Sequence, residues 1–253
     1  MKIKIAIVDS RITEAAQRKL MLNGYRVITL PPFSRLSEAV ASHPDMLIKA
    51  VGKDYISYAD YCEEASYVFT DLSLMTAGSG ARFCFSADDV SSVYPKDVGL
   101  NALTIGGALF CRVASASKML IDQATKAGLK IVNVNQGYPA CTVLKLNENA
   151  AITADEGMAR ALEQNGIRVT KITQGHVSLP PHEYGFIGGA GAVNGDKLYL
   201  FGDPKTHPDY EKIENAARSE GLTVVSLDFG IIRDLGGILF IECDVDQNSK
   251  DRN

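Results

Sequence analysis

The sequence has no tryptophan and only four histidines. None of the histidines stands in HxxxH or HExxH spacing, so no local metalloprotease signature exists. Five cysteines (Cys62, Cys84, Cys111, Cys141, Cys243) are scattered, odd in number and without CxxC spacing. This argues against a disulfide framework and a structural zinc site. It fits a reduced, cytoplasmic protein. No apolar run reaches the roughly 20 residues that span a bilayer. The opening stretch "MKIKIAIVDS" alternates like a strand and does not resemble a signal peptide. A net charge of −4 makes no electrostatic case for nucleic acid or an anionic membrane surface. No metal and no cofactor are expected.

Glycine, by contrast, is plentiful, with 22 copies, and its placement carries information. The stretch "YGFIGGAGAVNGDKLYLFGD" (184–203) poses a choice between a phosphate cradle and close backbone packing. A phosphate loop needs a helix directly after its glycines, because the helix N-terminus supplies the N–H groups. Here Asn194-Gly195-Asp196 marks a hairpin, and "KLYLFG" then alternates like a strand. The next helix comes only at "DYEKIENAARSEG", after Pro208. The stretch therefore reads as strand, turn, strand.

The pattern repeats. Gly-Gly pairs sit in apolar, strand-like runs at Gly106-Gly107, Gly188-Gly189 and Gly236-Gly237. A helical segment, then glycine, then an alternating strand recurs at Gly24, Gly128, Gly166 and Gly221. Glycine just past a helix end permits the left-handed conformation that stops the helix. The repeat averages roughly 50 residues, a period typical of arrays and propellers. About five units fit, one of them degenerate around residues 45–94. Each reads as a β-hairpin, a helix, glycine and a strand. "TADEGMARALEQNG" carries a capping box with Thr153 and Glu156. "TAGSGA" (76–81) reads as a loop. The last unit has its Gly-Gly strand but no following helix, and the first segment has no preceding hairpin. Together the two ends complete one unit, as in a circular array.

The expected fold is α/β: a closed, five-bladed, pseudo-symmetric ββαβ propeller over residues 1–243, with a polar tail at 244–253. Such a repeat resembles the pentein fold of the guanidino-group modifying enzymes. More closely, "QGYPAC", "NENAAIT", "LPPHEYGFIGG" and "FGDPKTHPDYEKI" resemble an uncharacterised bacterial family assigned to that fold. The resemblance spans nearly the whole chain. It implies a cysteine that attacks a guanidinium carbon, a histidine as general acid and base, and carboxylates that hold the cation. In those enzymes the nucleophile comes from the last unit, soon after its glycines. Here Cys243 stands next to the polar tail, a departure that argues against it. Some proteins of the fold bind partners without catalysis.

If five units surround an axis, the loops after their last strands converge on one funnel. Those loops carry Cys141, His176, Asp228 with Asp234, and His43 with Asp45. The expected assignment is Cys141 as nucleophile, His176 as acid and base, and Asp234 as a cation-binding carboxylate. Asp228, Asn101, His43 and Asp45 are candidate substrate-binding residues. The chemistry is consistent: attack needs a thiolate, histidine has a suitable intrinsic pKa, and a carboxylate can pair with guanidinium through two hydrogen bonds. Plainer roles stand beside these. Cys141 reads equally as a small buried hydrophobe, His176 as a hydrogen-bonded structural residue, and His43 and Asp234 as turn residues. Cys62, Cys84 and Cys111 show no sign of activation. His182 reads as a loop residue and His207 as part of a helix start.

Two other readings remain at this level. One is a non-catalytic ligand- or protein-binding member of the same fold, in which Cys141 needs no activation. The other is a doubly wound α/β enzyme, suggested by "KIKIAIVDS" ending at Asp9, which requires parallel strands separated by helices. The expected partner is a small-molecule ligand.

Overall fold

In the computed structural model, which describes residues 2–244, the repeat is regular. Strand β1 (Lys2–Asp9) leads through helix α1 (Glu14–Leu22) to β2 (Arg26–Leu30). The second unit runs through a short helix α2 (Pro44–Leu47), β3 (Lys49–Val51), β4 (Asp54–Tyr58), α3 (Ala59–Glu64), α4 (Ser66–Met75) and β5 (Arg82–Ser86). The third holds β6 (Leu103–Ile105), β7 (Ala108–Cys111), α5 (Lys118–Lys126) and β8 (Lys130–Asn133). The fourth holds α6 (Pro139–Thr142), β9 (Val143–Lys145), β10 (Ala150–Thr153), α7 (Glu156–Gln164) and β11 (Arg168–Lys171). The fifth holds β12 (Gly191–Asn194), β13 (Lys197–Leu200), α8 (Tyr210–Ser219) and β14 (Thr223–Ser226), and β15 (Leu239–Asp244) follows.

These strands form five three-stranded sheets. In each, the middle strand runs antiparallel to the first and parallel to the third. The antiparallel step needs only a tight turn, while the parallel step needs the crossover helix. The first sheet is completed by β15, which pairs with β1 from Ile3↔Cys243 to Ile7↔Leu239. Chain-distant segments thus build one blade. The doubly wound reading fails on this topology, because no parallel sheet extends beyond two strands in any unit.

The core lies between units. One cluster joins Val8 and Leu20 of the first unit to Tyr199 and Phe201 of the fifth. Another joins Ile152 of the fourth to Leu198 and Ile213 of the fifth. A third joins Phe110 of the third to Leu162 of the fourth. The largest joins Ile5, Ile56 and Leu109 of the first three. Every unit therefore packs on its neighbours around a ring.

The helix-ending glycines behave as the sequence implies. Gly24, Gly128, Gly166 and Gly221 all have φ between +73° and +88°. A Cβ on Gly128 would meet nothing within 4 Å, so only backbone strain opposes a side chain there. Gly128→Ala is expected to cost about 1 kcal/mol, lowering the melting temperature by a few degrees, roughly 2–4 °C. A thermal melt checks it.

Several local expectations need correction. The second unit is complete, not degenerate. Its helix is broken at Ala65, and Gly78 and Gly80 supply the left-handed turn ahead of β5. Thr153 ends β10, and Asp155 caps α7 by accepting from the Met158 N–H at 2.7 Å. Pro208 precedes the cap of α8 at Asp209 and does not sit in the first turn. Gly106-Gly107 is the β6–β7 turn itself and not part of a strand. The tail expected from residue 244 lies, beyond Asp244, outside the described residues.

Candidate functional site

Each unit is entered by a segment that runs straight into its first strand. Five such segments meet: one carries His43 and Asp45 ahead of β3, one Asn101 ahead of β6, and one Cys141 on α6 ahead of β9. The others bring Gly188 and Gly189 ahead of β12, and Asp234 and Gly236 ahead of β15.

The glycines let these backbones meet. A Cβ on Gly188 would lie 2.3 Å from the Ala140 carbonyl oxygen and 2.6 Å from that of Cys141. On Gly236 it would lie 2.4 Å from the His43 Cβ. Gly236 also has φ +68°, so a side chain is opposed twice. The Gly-Gly pairs at 188 and 236 are thus close-approach positions.

Cys141 Sγ donates to Asp45 Oδ2 at 2.9 Å and accepts from Asn101 Nδ2 at 3.0 Å. The Asn101 amide is oriented by the Ala140 N–H, which donates to its Oδ1 at 2.9 Å. One donor atom each of His43, Asp45 and Cys141 lies within 4.8 Å of the others. His43 Nδ1 is 3.9 Å from Asp45 Oδ1 and 3.8 Å from Asp234 Oδ1, and Nε2 is 3.8 Å from Asp9 Oδ2. These exceed hydrogen-bond length. Both ring nitrogens and Asp45 Oδ1 are buried without a hydrogen-bond partner. Asp234 is held by the Phe186 N–H at 2.8 Å and the Gly236 N–H at 3.1 Å. Asp9 is neutralised by Arg11, which donates from Nε at 2.9 Å and from Nη2 at 2.6 Å.

Burial sets the electrostatics. It depresses the His43 pKa against the pull of Asp234 and Asp9, so the imidazole is neutral. Burial lifts Asp45 to about 6, partly offset by the Cys141 hydrogen bond and by Lys49. Burial also lifts Asp234 to about 6, with Asp45 adding to the rise and the Phe186 and Gly236 N–H groups opposing it. The Cys141 thiol is pushed well above its usual range by burial, and then by Asp45 and Asp234. Two carboxylates, a thiol and an imidazole thus share a buried space in which a cationic ligand would offset the penalties.

A folded-state carboxyl pKa raised to about 6 favours folding at low pH, and that contribution is lost as pH rises through 6. At pH 7 the ionised Asp45 therefore weighs against the folded state. Cys141, Asn101, Lys49 and Asp9 face it and remain unchanged in Asp45→Asn. That variant is expected to be more stable at pH 7 by on the order of 1–3 kcal/mol. The gain should vanish near pH 4. Denaturant melts at the two pH values check it.

A cavity of about 520 Å³ opens onto His43, Cys141 and Asp234. Tyr94, Tyr138, Tyr184 and Phe186 line its walls. Another cavity of about 460 Å³ reaches Asp45 and carries Lys49 and Lys145. Lys49 donates to the Ala102 carbonyl at 2.5 Å, and burial lowers its pKa to about 8.

Of the residues singled out in the sequence, Cys141, Asp234, Asn101, His43 and Asp45 come together. His176 does not join them. It lines a separate cavity of about 310 Å³, its ring 5.4 Å from that of His207 in a T-shaped contact. Asp228 does not join them either. It accepts from Thr13 Oγ1 at 2.9 Å and pairs with Arg233. Both residues fall early in their connections, soon after the preceding strand, whereas the assembled residues fall late. Cys243 is buried in β15, and His182 is an exposed loop residue at the cavity rim. Arg11 and Asp97 are not singled out in the sequence; Asp9 figures there only as the end of a strand in the doubly wound alternative, and Tyr138, Tyr184 and Phe186 only as parts of the family motifs.

The family model described as a family of unknown function (DUF6873) matches residues 7–239. No curated protein matches the chain. Among solved structures, a dimethylarginine dimethylaminohydrolase adduct with 4-chloro-2-hydroxymethylpyridine aligns with a TM-score of 0.57 and 12% identity, covering 89% of this chain and 92% of that one. The same type of enzyme from Pseudomonas aeruginosa, complexed with citrulline, aligns at 0.54 and 12%, covering 89% and 91%. An amidinotransferase of saxitoxin biosynthesis from Microseira wollei aligns at 0.52 and 12%, covering 88% of both chains. These likenesses establish the pentein fold of the guanidino-group modifying enzymes. No helix among the described residues is long and apolar enough to cross a membrane.

Proposed function

The chain belongs to the family of unknown function DUF6873, and we propose that it is a hydrolase or transferase of guanidino or amidine small molecules working through Cys141. One observation carries this reading: Cys141 shares its hydrogen with Asp45 beside the neutral, unpartnered His43, at the floor of a cavity. Asp45 and Asp234 accept no hydrogen bond from a cationic side chain among the described residues, which leaves them to a guanidinium. The structural relatives act on or bind related groups, which supports the same direction. Their identity to this chain is too low to transfer an activity.

In the proposed step, the cation binds against Asp234 and Asp45 and favours the Cys141 thiolate, whose proton passes to the neutral His43. Sγ adds to the central carbon, forming a C–S bond. The C–N bond to the leaving amine breaks, and His43 delivers the proton that the amine takes. A water, or an acceptor amine in a transferase, then adds to the same carbon and gives its proton to His43. The C–S bond breaks and the thiolate is restored. His43 replaces His176 in the expected scheme, because His43 is within 4.8 Å of the thiol. Free thiols at all five cysteines suit a reducing cytoplasm. The test is affinity labelling: a chloroacetamidine should alkylate Cys141 selectively, with no adduct in Cys141→Ala. Slow, indiscriminate labelling would instead favour a non-catalytic binding protein.

A second reading rests on the same three side chains. Donor atoms of His43, Asp45 and Cys141 within 4.8 Å also suit a divalent cation such as zinc. Zinc retained through gel filtration, and lost in Cys141→Ala, would favour it. Amidine labelling unaffected by a chelator would count against it.

A further inference from the structure

The cavity above Cys141 carries charge of one sign. Asp97, Glu183 and Asp234 line it, with the imidazoles of His43 and His182, and its lining includes no lysine and no arginine. Arg112 lies over the Tyr94 ring, 5.4 Å from its centroid, but is not part of the lining. A guanidino acid would bring a carboxylate into this space with no cationic partner, and would lose its hydration without compensation.

Asp97 gives the cavity a second pole. It is buried, and its Oδ2 accepts the Tyr138 hydroxyl at 2.5 Å. Its Oδ1 is buried and has no hydrogen-bond partner. A buried acceptor without a partner calls for a donor. Between the poles stand the rings of Tyr94, Tyr138 and Phe186, with centroids 6.0 Å and 6.4 Å apart in sequence around the wall. Such faces suit a methylene chain and tolerate a cation.

We propose, resting on the reading of Cys141 as an amidine-handling thiol, that the substrate is a guanidino- or amidino-alkylamine. It is a dication without a carboxylate, with its amidine at Cys141 and its ammonium at Asp97. The aromatic wall holds the methylene chain.

The test compares three series of alkylguanidines with three to five methylenes, ending in methyl, ammonium or carboxylate. Each is scored by how well it protects Cys141 from a neutral alkylating agent. The ammonium series is expected to protect at about tenfold lower concentration than the methyl series. The carboxylate series should protect least. In Asp97→Asn the ammonium advantage should disappear while methyl-tailed compounds protect as before. Equal or better protection by the carboxylate series overturns the proposal, as does an ammonium advantage that survives Asp97→Asn. Protection by methyl-tailed guanidines with no tail preference would sink this inference alone. No protection by any guanidine would sink the reading of Cys141 as well. The comparison on the unaltered protein decides the matter even if Asp97→Asn does not fold.

Discussion

Chloroacetamidine should alkylate Cys141 about 100-fold faster than a neutral chloroacetamide of the same size. The factor corresponds to roughly 2.7 kcal/mol, within reach of one cation beside two partly dehydrated carboxylates. The variants separate this from ordinary thiol reactivity, because they move the two reagents in opposite directions. Asp45 and Asp234 both hold the Cys141 pKa up. Removing the Asp45 charge in Asp45→Asn therefore favours the thiolate and should speed the neutral reagent. The same change removes half of the cation's binding field and should slow the amidine by about tenfold. Peptide mass spectrometry over a time course reads both rates. If both reagents speed up together in Asp45→Asn, the carboxylates serve no cation, and the guanidine reading fails.

Gly189→Ala should prevent accumulation of the folded protein, at a cost of about 3 kcal/mol or more. A Cβ there would lie 1.9 Å from Asp234 Oδ1 and 2.6 Å from its Cγ. The carboxylate cannot swing away without releasing the Phe186 and Gly236 N–H groups. Nor can the backbone at 189 retreat, because its carbonyl accepts from Leu235 and Gly237 at 2.9 Å and 2.7 Å. Gly195→Ala is the matched control. It has φ +61° but open space around it, so its cost should stay near 1 kcal/mol. Soluble yield and denaturant midpoints distinguish the two. A Gly189→Ala protein as stable as Gly195→Ala would mean that the segments do not meet as described.

Most of the architecture was legible because it rests on local backbone chemistry. Four helix-ending glycines announce themselves, since no other residue takes their conformation without strain. The second unit escaped the pattern because Ala65 interrupts its helix and the stop is spread over "AGSG". The site was half legible for a geometric reason. Reactive residues could be assigned to the right connections, but not to the end of the connection that faces inward. His176 and Cys141 look alike on that test, and only the late position of Cys141, two residues ahead of β9, brings it to the axis. Asp228 and Asp234 share one connection and differ in the same way. Asp97 was invisible because its partner is a tyrosine hydroxyl 41 residues away in sequence.

The pairing of β15 with β1 bears on how the chain is made. During synthesis the second to fifth units emerge with all three of their strands, and each can form its sheet as it appears. The first cannot. Its middle strand is translated before the other four units and waits, with one edge unpaired, until they have passed. Asp234 and Gly236 arrive in that same late segment, so a nascent chain lacking it has neither a finished ring nor the carboxylate beside His43. The long wait exposes an apolar strand edge, "IAIV", to other growing chains. A circularly permuted gene that joins β15 directly to β1 would remove the delay, and its product should aggregate less when produced quickly.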